Sequence, residues 1–240
     1  GKTIIVTDAA GNASNTLTIP DFTIDTTAPT AAITYDSVGP YKNGDTVVIT
    51  ATFNEVMLDS PVPQITIAGS GIATVNATNM TKDSTTVYTF SYSVPTGDGT
   101  GTITLSVGTD QAGNTITATP TSGNTFTVDN TAPLISQQTA IPSHTNDTTP
   151  SYVFSTDKAG TITSSLAFTS TTAATVGNNT VTFNTLAEGT YTGKNIIVTD
   201  AAGNVSNHLI IADFVIDTTL PVLTLTGANP LPAELGTAFT

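Results

Sequence analysis

Residues 1–29 and 193–221 are two copies of a single 29-residue phrase. The first reads GKTIIVTDAAGNASNTLTIPDFTIDTTAP and the second GKNIIVTDAAGNVSNHLIIADFVIDTTLP; they differ only at positions 3, 13, 16, 18, 20, 23 and 28 of the first copy. A looser third copy, VGTDQAGNTITATPTSGNTFTVDNTAP, runs from Val107 to Pro133 and keeps Asp110, Gly113, Asn114 and the Asp129-to-Pro133 exit. Self-similarity on this scale indicates an array of domains rather than one large fold. In each copy a β-branched run leads into a turn where Gly and Asn supply backbone freedom. A second alternating run follows and ends in Asp-Thr/Asn-Thr-x-Pro. This is a terminal β-hairpin with its exit linker, and proline keeps that linker extended and stiff.

The boundaries follow from the copies. Residues 1–27 read as the closing hairpin of a partial domain, 28–131 and 132–219 as complete domains, and 220–240 as the first strand of a further one. Within the first complete domain Val47, Ile49, Ala51 and Phe53 alternate with Val48, Thr50 and Thr52. Tyr88, Phe90, Tyr92 and Val94 share one face of a later run, and Ile103, Leu105 and Val107 one face of another. Period-2 patterning with turn signals every 8 to 12 residues predicts about seven strands per domain in an all-β sandwich. The second domain repeats the plan through Leu134–Ile141, Ser151–Ser155, Thr161–Ser164, Asn179–Leu186 and a last long run Thr190–Asp200. No stretch carries a sustained 3.6-residue apolar period, which predicts almost no helix. Since an isolated hairpin is marginal in water, residues 1–27 are expected to rest on the neighbouring domain or on another chain.

Charge narrows the choice of function. Five Lys, no Arg and 18 Asp plus Glu give a formal net charge of −13. Nucleic acids and anionic membranes are bound through basic side chains, so this balance argues against both. A divalent cation suits it better. Without cysteine, and with only two His, a zinc site has almost no ligands. No G-x-S-x-G elbow and no phosphate-binding Gly-rich loop is present, so no catalytic constellation can be assembled. The chain is not expected to be an enzyme.

In a sandwich of immunoglobulin type, the entering linker lies beside the loops that follow the second and sixth strands. At the first junction this geometry gathers Asp25 and Thr27 from the linker, Glu55 from the end of the second strand, and Asp110 from the last turn. At the second it gathers Asp129, Asp157 and Asp200, with similar spacings of 26 residues from Pro29 to Glu55 and 24 from Pro133 to Asp157. Converging carboxylates repel one another unless a cation neutralises them. Ca²⁺, which takes six to eight oxygen ligands, would do so with help from linker carbonyls. The competing reading is that these Asp residues cap turns by accepting from backbone amides.

The VTDAAGN turn followed by IDTTAP, with NDTTPSYVFSTDKAGTI (146–162) and GDTVVITATFNEVM (44–57), resembles the bacterial Ig-like tandem repeats of large surface adhesins and biofilm-associated proteins. That resemblance implies extracellular, end-to-end immunoglobulin-like domains with Ca²⁺ at their junctions. It implies Asp25, Asp129 and Asp217 as linker ligands and Asp110 and Asp200 as turn ligands. The expected function is a stalk or spacer on a bacterial cell surface, made rigid by Ca²⁺. Its partners would be neighbouring repeats of the same chain, with no nucleic acid and no direct membrane insertion. Two alternatives remain: a subunit of an extracellular filament or surface layer built from identical chains, or a carbohydrate- or receptor-binding module using the loops around Gly69–Asp83.

Overall fold

The computed structural model describes residues 1–224, and most of the strand expected within 220–240 lies outside the described residues; residues 220–224 carry no strand. The described chain is all-β, without helix, and so contains none long and apolar enough to cross a membrane. It opens with a two-stranded antiparallel ribbon, β1 (Lys2–Ile4) and β2 (Leu17–Ile19).

Eight strands follow: β3 (Ala31–Tyr35), β4 (Thr46–Phe53), β5 (Gln64–Ala68), β6 (Val75–Asn79), β7 (Thr81–Lys82), β8 (Val87–Ser93), β9 (Gly99–Ser106) and β10 (Thr125–Val128). They form two four-stranded sheets in the orders β3-β4-β8-β7 and β10-β9-β5-β6. Those are the two sheets of an immunoglobulin-type sandwich, with β6 added beside its third strand. The alternation read from sequence decides which faces meet. Val47, Ile49, Ala51 and Phe53 of β4, with Tyr88 and Tyr92 of β8, pack against Ile65, Ile67, Ile103 and Leu105 of the opposite sheet. Fully burying such side chains stabilises by about 1.5–3 kcal/mol each. Val107 departs from the expected run: it adopts φ +66° and is half-exposed, ending the strand and turning the chain towards Asp110.

The remaining strands are β11 (Ile135–Thr139), β12 (His144–Thr145), β13 (Ser151–Thr156), β14 (Gly160–Ser164), β15 (Ala173–Ala174), β16 (Gly177–Thr182), β17 (Gly189–Tyr191), β18 (Asn195–Thr199), β19 (Leu209–Ile210) and β20 (Phe214–Ile216). They pair as β11-β13-β16, β15-β14-β18-β19 and β12-β20-β17, the β12–β20 pair being parallel. The long run expected from Thr190 to Asp200 is two strands, β17 and β18. Gly193 sits between them at φ +61°, a conformation that breaks an extended strand and suits only glycine well. A second core, distinct from the first, gathers Tyr152, Phe154, Val181, Phe183, Ile196, Val198, Phe214 and Ile216.

The opening ribbon corrects one expectation, because it does not rest on its neighbour. Val6 is 66% exposed, Phe22 76% and Ile24 77%, whereas Val198, Phe214 and Ile216 at the matching places of the second copy are at most 1% exposed. The phrase is the same; the difference is cover. Ile196 and Val198 belong to a strand paired with β14, and among the described residues no counterpart of β11 to β16 lies beside residues 1–27.

Candidate functional site

The Asp-x-Ala-Gly-Asn turn is built identically three times. The carboxylate Oδ1 of Asp110 accepts from the amides of Ala112 and Asn114, both at 2.8 Å, while Asn114 Nδ2 donates to Asp110 Oδ2 at 2.8 Å. Asp200 does the same with Ala202, Asn204 and the Asn204 side chain, as does Asp8 with Ala10 and Asn12. Turn capping is therefore real, and it occupies Oδ1. Burial pushes the Asp110 and Asp200 carboxyls up. The Asn side chain and the turn amides outweigh it, with Lys158 adding to the effect at Asp200, and hold both below the ordinary aspartate range.

Asparagine also reaches the linker. Asn114 Nδ2 donates to the Asp25 carbonyl at 3.1 Å and Asn204 Nδ2 to the Asp129 carbonyl at 2.9 Å. The linker has its own fixed turn: Asp25, Asp129 and Asp217 each accept through Oδ1 from the amide two residues on, at Thr27, Thr131 and Thr219. The second and third linkers are also gripped from the preceding domain. Asp98 accepts from the Asn130 amide and the Thr131 hydroxyl, and Glu188 accepts from the Thr218 and Thr219 hydroxyls at 3.1 and 2.7 Å.

At the first junction Asp25, Glu55 and Asp110 come together as expected, with one carboxylate oxygen from each lying within 4.8 Å of the others. They are the one such group among the described residues. Asp25 and Glu55 border an open cleft with Thr23, Val56, Gln111 and Ala112. Burial, and then the charges of Asp25 and Asp110, push the Glu55 carboxyl above its ordinary value, the direction expected of carboxylates crowded together.

The second junction is arranged differently. Asp129 and Asp200 converge, but Asp157 does not join them; it is exposed, and its Oδ1 accepts from the Leu134 amide at 2.8 Å. Between the two converging carboxylates sits the Lys158 ammonium. It donates to both oxygens of Asp129 at 2.6 and 2.8 Å, to the Thr131 carbonyl, and to Asp200 Oδ2 at 3.4 Å. The register explains the change. Asn54 Oδ1 accepts from the Thr30 amide at 2.8 Å, as Asp157 Oδ1 does from Leu134, and in each case the acceptor's own amide returns a bond to the same partner's carbonyl. Asn54 thus matches Asp157, and Glu55 matches Lys158.

Asp217 is exposed, and among the described residues its carboxylate holds only its own linker turn. Lys158, Asn114, Asn204 and Glu188 are the junction residues that sequence spacing did not single out as ligands or clamps. A signal existed for Lys158, one of only five lysines in an acidic chain, standing immediately after a candidate ligand.

Fold and site together define a β-sandwich protein whose linkers are fastened by carboxylates. No protein-family model matches the chain, and no curated protein matches it.

Proposed function

We propose that this chain is a non-enzymatic structural segment, a stalk or spacer of a bacterial surface adhesin, in which Ca²⁺ bound by Asp25, Glu55 and Asp110 fixes the first linker. The observation that carries this reading is the convergence of three carboxylates on one linker. A second supports it independently: at the matched place in the second junction, a cation, the Lys158 ammonium, lies among Asp129, Asp200 and the Thr131 carbonyl. By that correspondence the Thr27 carbonyl completes the first site. Oxygen donors of this kind suit a hard cation, and Ca²⁺ tolerates the irregular geometry of ligands drawn from three loops. The test is calorimetric titration of the full chain with Ca²⁺, alongside Glu55→Gln. One ion per chain, lost in the variant, is expected; heat-silent titration of the parent chain would refute the reading.

The second reading, a subunit of a filament or layer, draws on the ribbon of β1 and β2. Its exposed Val6, Phe22 and Ile24 match residues that the second copy buries under its own strands. The partner it suits is a set of strands like β11 to β16, which the filament reading takes from an identical chain. Sedimentation over a concentration series, compared with Phe22→Ser, distinguishes the two readings: self-association that the variant abolishes favours assembly.

A further inference from the structure

We infer that the residue at position 55 or 158 decides where each junction obtains its cation: Glu55 makes the first junction draw one from solution, and Lys158 makes the second carry its own. The ion half of this inference rests on the proposed reading of the first junction.

The two junctions share much of their framework. Both have a linker Asp folded onto the amide two residues on, a turn Asp with its Oδ1 capped, and an Asn tying that turn to the linker carbonyl. Both also have an Asn or Asp side chain, at 54 or 157, fixing the strand end immediately before the selector position. At the next residue the charge is reversed, Glu55 against Lys158. Three carboxylates with a dication, or two carboxylates with an ammonium, leave the same formal charge of about −1, so each arrangement offsets repulsion among its carboxylates.

Lys158 is held as a bound cation is held, by oxygen on several sides. Its environment works against the charge through burial, but Asp129 and then Asp200 prevail and keep it protonated above the ordinary lysine range. A second lysine braces the same place from the other sandwich: Lys42 Nζ donates to the Gly203 carbonyl at 2.7 Å, in the turn that carries Asp200. The matching Gly113 of the first junction has nothing within 4 Å of where its Cβ would stand. The second junction is thus closed by side chains of the protein, and the first is not.

Chelation should therefore loosen one junction and spare the other. The chain has no cysteine, so pairs introduced at exposed Thr16 with Ser70, and at Ser70 with Thr172, allow spin-label distances to be measured across each junction in the full chain. In chelator a broad distribution is expected across the first junction and a narrow one across the second, with Ca²⁺ narrowing only the first. Lys158→Glu should make the second junction broad in chelator and narrow in Ca²⁺, and raise the ion count from one to two. Glu55→Lys should keep the first junction narrow in chelator and lower the count to zero. Lys158→Met serves as a neutral control that removes the tethered cation without adding an acid, and it should broaden the second junction at any Ca²⁺ concentration. A second junction that stays narrow in chelator in both Lys158 variants overturns the inference, as does an unchanged ion count in Lys158→Glu. If the parent chain binds no ion while Lys158→Met still loosens the second junction, the reading of the first site fails and the role of Lys158 stands.

Discussion

Lys158 Nζ lies 2.6 Å from Asp129 Oδ1, joining the strand end of one sandwich to the linker that enters it. Both side chains are about a quarter exposed, while the second carboxylate on the same ammonium, Asp200, is nearly buried. Pairs so placed are screened less than fully exposed ones, and removing one partner leaves the other charge partly desolvated. The consequence is local: groups of the protein itself fasten the second linker.

Asn204 connects the same linker to the turn by a route that carries no charge. Replacing it by Ala removes the donors to Asp200 Oδ2 and to the Asp129 carbonyl together. Losing partners for partly buried acceptors costs about 1–3 kcal/mol. Asn12→Ala removes the equivalent bond to Asp8 Oδ2 in an exposed turn, and should leave thermal stability nearly unchanged. Comparing the unfolding midpoints of the two variants checks this; equal shifts would show that the linker contact adds nothing.

Phe22 and Phe214 occupy the same place in the two copies of the repeated phrase, yet one is 76% exposed and the other 1%. Phe214→Ala should cost about 3–5 kcal/mol, the range for emptying an aromatic site in a packed core. Phe22→Ala should stay within about 0.5 kcal/mol, as exposed substitutions do. Denaturant unfolding of both variants measures the contrast.

These contrasts also show what could be read from sequence. Val47, Ile49, Ala51 and Phe53 are buried as their alternation requires, because a strand's period is local and one face must meet the core. The convergence of Asp25, Glu55 and Asp110 was legible because sandwich topology fixes which loops share an end. Asp157 was misplaced by one residue. Counting from a proline cannot detect a single-residue offset, and it takes the Leu134 and Thr30 amides to show that Asp157 matches Asn54. The exposure of residues 1–27 was likewise illegible, since a hairpin's pattern records the face it would bury and not the strands that cover it.

Asp98 gives the second linker an acid-sensitive clamp. The Thr131 hydroxyl, and then the Asn130 amide, hold its carboxyl below the ordinary aspartate value. A depressed folded value means that the carboxylate's contribution is fully present above the unfolded value of about 3.9 and is lost as pH falls through the folded value. Amide hydrogen exchange at Asn130, followed from neutral pH downwards, should show protection lost only once the pH has fallen below the ordinary aspartate range. Asp98→Asn should remove that pH dependence.

Calcium's effect on stability follows from mass action. For a site of Kd about 10⁻⁴ M, in the range of extracellular modules, about 10 mM Ca²⁺ stabilises the bound state by about 2.7 kcal/mol. Glu55 and Asp110 both belong to the first sandwich, so its unfolding should shift by about 10 °C or more, while that of the second sandwich stays in place. Mg²⁺ at the same concentration should shift it less, since it demands tighter octahedral geometry and gives up water reluctantly. Scanning calorimetry in Ca²⁺, Mg²⁺ and chelator, with Glu55→Gln to remove a carboxylate without touching the turn, reads both transitions at once. Glu55→Gln should abolish the shift at a small cost to the metal-free midpoint, whereas Asp110→Asn sets its amide nitrogen against the Asn114 Nδ2 donor and should also lower the metal-free stability, by about 1–3 kcal/mol. A Ca²⁺ shift of equal size in the second sandwich would mean that the ion acts there despite Lys158, and the assignment of distinct cations to the two junctions would fall.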